Sequence, residues 1–172
     1  LDVAAGCYVK FLDADDMLIP GSLDIQVQHL EQARASNPTQ PLRTAVSLGG
    51  YRTFDDSSGA YGRPEDQANW AKGFTFARMA NEWERGLSVP IHSALFAGDF
   101  LGRTIRFHTG VTSKEDWLFW LQILSLGVRP LVFDHEVALY RKIEPSMTRS
   151  SDERNATAWL RASLIATALC RK

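Results

Sequence analysis

Tyr8-Val9-Lys10-Phe11-Leu12-Asp13-Ala14-Asp15-Asp16 decides how the chain is read. Its first five residues are aromatic, β-branched or apolar around one Lys, as in a short buried strand. The strand runs directly into three carboxylates. In open α/β sheets ligands bind beyond the carboxyl ends of strands, so chemistry is expected here. Like charges this close repel unless something positive sits among them. Mg²⁺ or Mn²⁺ takes carboxylate oxygens and commonly shares its sphere with a phosphate. Asp13, Asp15 and Asp16 are therefore candidate metal ligands, placed to hold an ion against a diphosphate. The plainer alternative is an acidic turn leading to a helix N-terminus, where the dipole mildly favours carboxylates. Spacing alone leaves both open.

The same residues permit other chemistry. A haloacid-dehalogenase-like phosphatase also ends an apolar strand in D-x-D; Asp13 would attack phosphate and Asp15 would be the acid. Asp16 and Met17 match that pattern poorly. A calcium hand fits less well, because no Gly lies at the sixth position from Asp13.

Working outward, Pro20-Gly21-Ser22 opens a predicted helix to about Ala35, with Ser22 as N-cap. Leu23, Val27 and Leu30 form its apolar stripe; Gln26, Gln28 and Glu31 face water. Arg43 to Phe54 reads as a strand, residues 55–59 as a turn and Ala60-Tyr61 as the return. Residues 62–73 are polar and irregular, a candidate mobile loop. Thr75 to Arg85 suits a short helix closed by Gly86. Ile91 to Phe96 reads as a second buried strand. Residues 114–126 form a helix apolar nearly all round, hence central. Pro130–Phe133 and Val137–Tyr140 read as short strands, and a last helix starts at Ser150, with Glu153 completing a capping box. The alternation is an α/β pattern in one domain over residues 1–172.

Composition agrees. With 172 residues, 45% hydrophobic, 23% charged and a net charge of −1, the chain reads as one soluble globular domain. A chain this size buries roughly 70% of its unfolded surface and needs no staples. The near-zero charge offers no footprint for nucleic acid. Cys7 and Cys170 form no Cys-x-x-Cys pair, which points to reduced thiols and a cytoplasmic setting, with a single disulfide as the alternative. No apolar run approaches the roughly 18 residues of a membrane span, and the start lacks the basic and apolar regions of a signal peptide. An opening Leu1 in place of Met reads as an excerpt or a processed product.

A second candidate site is Thr112-Ser113-Lys114-Glu115-Asp116-Trp117. Ser113 with Asp116 has capping-box spacing. The alternative is that a carboxylate at the start of a central helix faces a cleft as a general base; spacing alone does not decide. His92 reads as a core histidine, and His29, His108 and His135 as solvated; none is assigned as a ligand.

Taken together, these motifs resemble the family 2 glycosyltransferases. An Ala-x-Gly-x-Tyr stretch enters Phe11-Leu12-Asp13-Ala14-Asp15-Asp16, with Pro20 and a Leu23…Gln26 helix behind it. Glu115-Asp116-Trp117-Leu118-Phe119-Trp120-Leu121 is similar to that family's E-D-x-x-x-W-L element, and Tyr140-Arg141 with Ser146-Met147-Thr148 to its closing Y-R…S-x-T segment. The resemblance implies the C-terminal two-thirds of a GT-A sheet with flanking helices, without the N-terminal nucleotide-binding strands. It implies inverting transfer from a nucleotide sugar to a sugar, lipid-linked or protein acceptor. Asp15, with Asp13 near the ribose, would hold Mn²⁺ or Mg²⁺; Arg141 would lie on the donor side; Asp116 would be the base. Ile143 stands where family members often have His. Lacking the first strands, the chain alone is expected not to transfer sugar, and a truncated interaction module is the non-catalytic alternative. Tyr8–Leu12 would then be a sheet edge, guarded only by Lys10, which favours a homodimer.

Overall fold

A computed structural model describes residues 3–39, 44–64, 70, 72–102, 105–111, 113–142 and 152–169. Among them the elements are β1 (Tyr8–Lys10), β2 (Met17–Leu18), α1 (Ser22–Ser36), β3 (Val46–Asp55), β4 (Ala60–Pro64), α2 (Phe76–Glu82), a 3₁₀ turn (Ile91–Ser93), β5 (Ala94–Ala97), α3 (Gly98–Leu101), α4 (Glu115–Ser125), β6 (Leu131–Lys142) and α5 (Asp152–Leu169). The expected Arg43, Thr112, Ile143, Ser146-Met147-Thr148, Ser150 and Cys170 lie outside the described residues, as does part of the 62–73 loop.

The strands form one mixed six-stranded sheet in the order β1-β5-β3-β6-β2, with β4 on β3. β3 and β6 are parallel and every other pair is antiparallel. Val46 to Tyr51 is buried without a break, as a strand covered on both faces must be. One cover is α1: the Ser47 hydroxyl meets His29 Nδ1 at 3.2 Å. The other is α4. Phe96, opposite Val46 in the ladder, points away from α1 because side chains alternate. It meets Phe119 and Trp120 with ring centroids 5.8 and 5.9 Å apart. Helix α4 is the core helix its composition predicted, with Trp117 to Leu121, Ile123 and Leu124 all buried. Its indoles are satisfied, Trp117 Nε1 donating to Met79 O at 2.8 Å and Trp120 Nε1 to Val89 O at 2.9 Å.

The α/β expectation holds as a mixed sheet with flanking helices, and several local readings change. Ser22 does not cap α1; Gly21 takes the N-cap position at φ 77° and Ser22 is buried. The buried stripe is Ser22, Gln26 and Leu30, while Leu23 is exposed. Gln26 turns inward because it bridges strands, its Nε2 donating to Ser47 O at 3.2 Å and Ser93 O at 3.0 Å. Helix α2 stops at Glu82 with Thr75 as its cap, short of the expected Arg85. The residues expected as a strand over 91–96 begin as a 3₁₀ turn. The two short strands expected between Pro130 and Tyr140 are one strand, β6, with register shifts opposite Leu48–Tyr51. Gly49 permits that irregularity: a Cβ there would lie 2.4 Å from Val137 Cγ1. Among the described residues, no helix is long and apolar enough to cross a membrane.

Candidate metal and acid–base site

Phe11 anchors the acidic loop. Its ring packs edge-on against Phe96, Phe107 and Phe119 at 5.0–5.6 Å, so the chain leaves β1 at a fixed point. The next residues form a turn in which Asp16 N–H donates to Asp13 O at 3.1 Å. β2 then pairs with Ala138 and Leu139 of β6. The loop is thus pinned at both ends.

Within it the three acids have different fates. Asp16 is 8% exposed. Its Oδ1 accepts the Arg141 backbone N–H at 2.9 Å, which ties the loop to the end of β6. Its Oδ2 lies 2.6 Å from Nδ1 of His92. That contact is close but off the axis of a hydrogen bond, so Asp16 Oδ2 and both His92 ring nitrogens are left without hydrogen-bond partners. His92 is fully buried, between Tyr51 and Tyr140, each 5.8 Å away by ring centroid. Asp13 and Asp15 are exposed. Asp13, Asp16 and His92 each offer one ligand atom within 4.8 Å of the others; Asp15 is not in this group. Two carboxylate oxygens and an imidazole nitrogen suit a divalent first-row ion, Mn²⁺ better than Mg²⁺. Unsatisfied buried donors and acceptors are costly in a fold, so the residues fit such an ion.

The start of α4 completes the site. The capping box expected from Ser113 and Asp116 does not form: Lys114 holds the N-cap position at φ 69° without a side-chain bond, and Ser113 Oγ has no partner. Asp116 Oδ1 instead accepts the N–H of its neighbour Trp117 at 2.7 Å. Burial pushes the Asp116 carboxyl up to about 6; Glu115 and Asp13 push the same way, against the Trp117 amide and Lys114. Asp13 is raised too, by burial first and then by Asp16, Asp15 and Glu115, against His92. Two acidic motifs distant in sequence therefore share one electrostatic neighbourhood. Arg141 reaches it through its backbone only; its guanidinium pairs with Asp56 of the β3–β4 turn at 2.5 Å.

His92 is the site residue that sequence reasoning passed over. A histidine in an apolar run signals burial, but nothing local indicates that a carboxylate from residue 16 will face it. No family model matches the chain, and no curated protein matches it.

Proposed function

We propose that this chain is a GT-A-like domain of a metal-dependent, inverting glycosyltransferase that uses a nucleotide sugar. The observation that carries this reading is the grouping of Asp13, Asp16 and His92, with Asp13 within electrostatic reach of Asp116. A metal site beside a carboxylate with a raised pKa is what transfer to a hydroxyl requires.

In the proposed reaction Asp116 takes the proton of an acceptor hydroxyl. The acceptor oxygen attacks the anomeric carbon, and the bond from that carbon to the diphosphate oxygen breaks, inverting the centre. Asp13 and His92, with Asp16, would hold Mn²⁺, and Asp15, which is exposed, would face the donor. The ion, when bound, supplies positive charge to the leaving diphosphate. Asp16 keeps the loop against β6 through the Arg141 amide. Arg141, expected on the donor side, would first have to exchange Asp56 for a phosphate. The acceptor would be a hydroxyl of a sugar, lipid-linked or protein substrate.

Titration calorimetry with Mn²⁺, with and without a nucleoside diphosphate, tests the reading. Mn²⁺ should bind weakly alone and more tightly with the diphosphate, which completes its sphere. Asp13→Asn should remove both heats, and Asp15→Asn should remove the diphosphate's enhancement. Equal heats for native and Asp13→Asn protein would overturn the metal assignment. Release of phosphate from an aryl phosphate would favour the phosphatase chemistry.

A further inference from the structure

His92 takes its place indirectly. Neither nitrogen of its buried ring has a hydrogen bond, so the ring's aim at Asp16 depends on its backbone and on the flanking Tyr51 and Tyr140 rings. That backbone is the 3₁₀ turn Ile91–Ser93, which runs straight into β5. The turn closes with Ser93 N–H donating to Pro90 O at 3.0 Å. Pairing of β5 with β3 reaches back only to Ala94, opposite Leu48. The Ser93 hydroxyl, although buried, has no partner.

Gln26 of α1 bridges this boundary. Its fully buried amide donates to the Ser47 carbonyl of β3 at 3.2 Å and to the Ser93 carbonyl of the turn at 3.0 Å. Carbonyls only accept, so the NH₂ must face them and the oxygen must face the other way. There the Lys10 amine of β1 donates to Gln26 Oε1 at 2.6 Å. One side chain thus joins α1, β1, β3 and the residue after His92. A buried polar network satisfied in this way rigidifies a single arrangement. Docking of α1 does not need it. Leu30 is buried on the same stripe, and His29 meets the Ser47 hydroxyl independently. An apolar side chain at position 26 would serve docking equally, with no amide to desolvate.

We infer that Gln26 is a positioning residue of the candidate site: it holds the turn so that the His92 ring faces Asp16, and Lys10 fixes the orientation of its amide. Its effect on an ion rests on the metal reading; its hold on His92 does not.

Long-range ¹H–¹⁵N NMR of the whole labelled protein, free of metal, reads the His92 ring directly, with His92→Asn identifying its signals. Gln26→Met keeps the side-chain length and loses both donors, and it should move the His92 signals. Lys10→Met frees the amide to turn and should move the same signals by less. Gln28→Met, the same change at an exposed position of the same helix, should leave them in place. Calorimetry should then show Mn²⁺ bound about tenfold more weakly by Gln26→Met, the low end of what outer partners of a metal site contribute. A role in helix docking alone predicts a lower melting temperature for Gln26→Met with native His92 signals, and that result overturns the inference. If Gln26→Met does not fold, Lys10→Met decides, and native His92 signals there overturn it equally. A native protein that takes up no Mn²⁺ removes the metal reading, and the metal-free ring signals still decide whether Gln26 positions His92.

Discussion

Asp16 is buried and Asp116 half-buried, and the two carboxylates are held in opposite ways. Asp16 has a backbone amide from β6 on one oxygen and an imidazole against the other. Among the described residues Asp116 accepts a hydrogen bond from the amide of the next residue alone, with the Lys114 charge nearby. Burial with remote partners makes a carboxylate a clasp between elements. Burial with a local amide alone leaves its charge poorly compensated, which raises the pKa and readies it to take a proton. The difference separates a clasp that also faces the candidate metal position from a carboxylate free to take a proton, and it can be broken experimentally.

The largest expected effect is at Asp116. On the whole protein, Asp116→Asn should lower turnover by about 10²–10⁴-fold with donor affinity kept, because a base acts in the transition state. Activity of the native protein should rise with pH through about 6, as the carboxyl ionises. The stability effect has the reverse sense. The pKa is raised from 3.8 to about 6 on folding, so between those values the unfolded chain has lost a proton that the folded chain still holds. Stability therefore falls as pH rises across that window and stays lowered above it. Asp116→Asn removes the penalty and should melt higher than the native protein above pH 6 but not below pH 4. A capping role predicts a loss of about 1 kcal/mol instead. An Asn variant that melts lower at neutral pH and still turns over would erase the contrast with Asp16.

Next comes Asp16 itself. Asp16→Ala removes the carboxylate packed against His92 and the acceptor of the Arg141 amide. Leaving a buried donor without its acceptor costs about 1–3 kcal/mol. Asp15→Ala, at an exposed position one residue away, should stay within about 0.5 kcal/mol. Urea denaturation of the two variants measures the gap directly. Equal midpoints would mean that Asp16 does not clasp the loop to β6.

What could be read in advance follows the range of the interactions. Helix α4 was legible because seven apolar residues in one short segment leave no exposed face to choose. The strand-end acids were legible for a similar local reason. Gln26 was not: its polarity predicts solvent, and only the Ser47 and Ser93 carbonyls from two other segments make its burial favourable. The Ser113 capping box failed on a backbone angle, since Lys114, which the motif needs as its first right-handed helical residue, lies in the left-handed region. His92 and Asp16 meet across 76 residues of chain, as 92 − 16 gives, and no spacing rule reaches that far. Local pattern located the acids, but tertiary contacts sorted clasp from base.

The smallest expected effect concerns the sheet edge at β1, where sequence and structure differ on Lys10. In the ladder β1 pairs with β5 alone, leaving its other side without a strand among the described residues. Lys10 was expected to guard that edge with its charge. Its amine instead donates to Gln26 Oε1 at 2.6 Å, and burial brings its pKa down to about 7. A lysine turned inward and half titrated near neutrality repels an approaching strand poorly. Open edges of this kind pair with other chains, and a two-fold arrangement is the simplest closed one. Because β1 has three residues, few hydrogen bonds are available and the association should be weak. Sedimentation equilibrium should show partial dimer at tens of micromolar, growing as pH rises through about 7 and Lys10 loses its charge. Tyr8→Lys puts a fixed charge on the same edge and should restore the monomer. A native chain that sediments at 19.2 kDa throughout, at every pH, would show that this edge is closed without a partner.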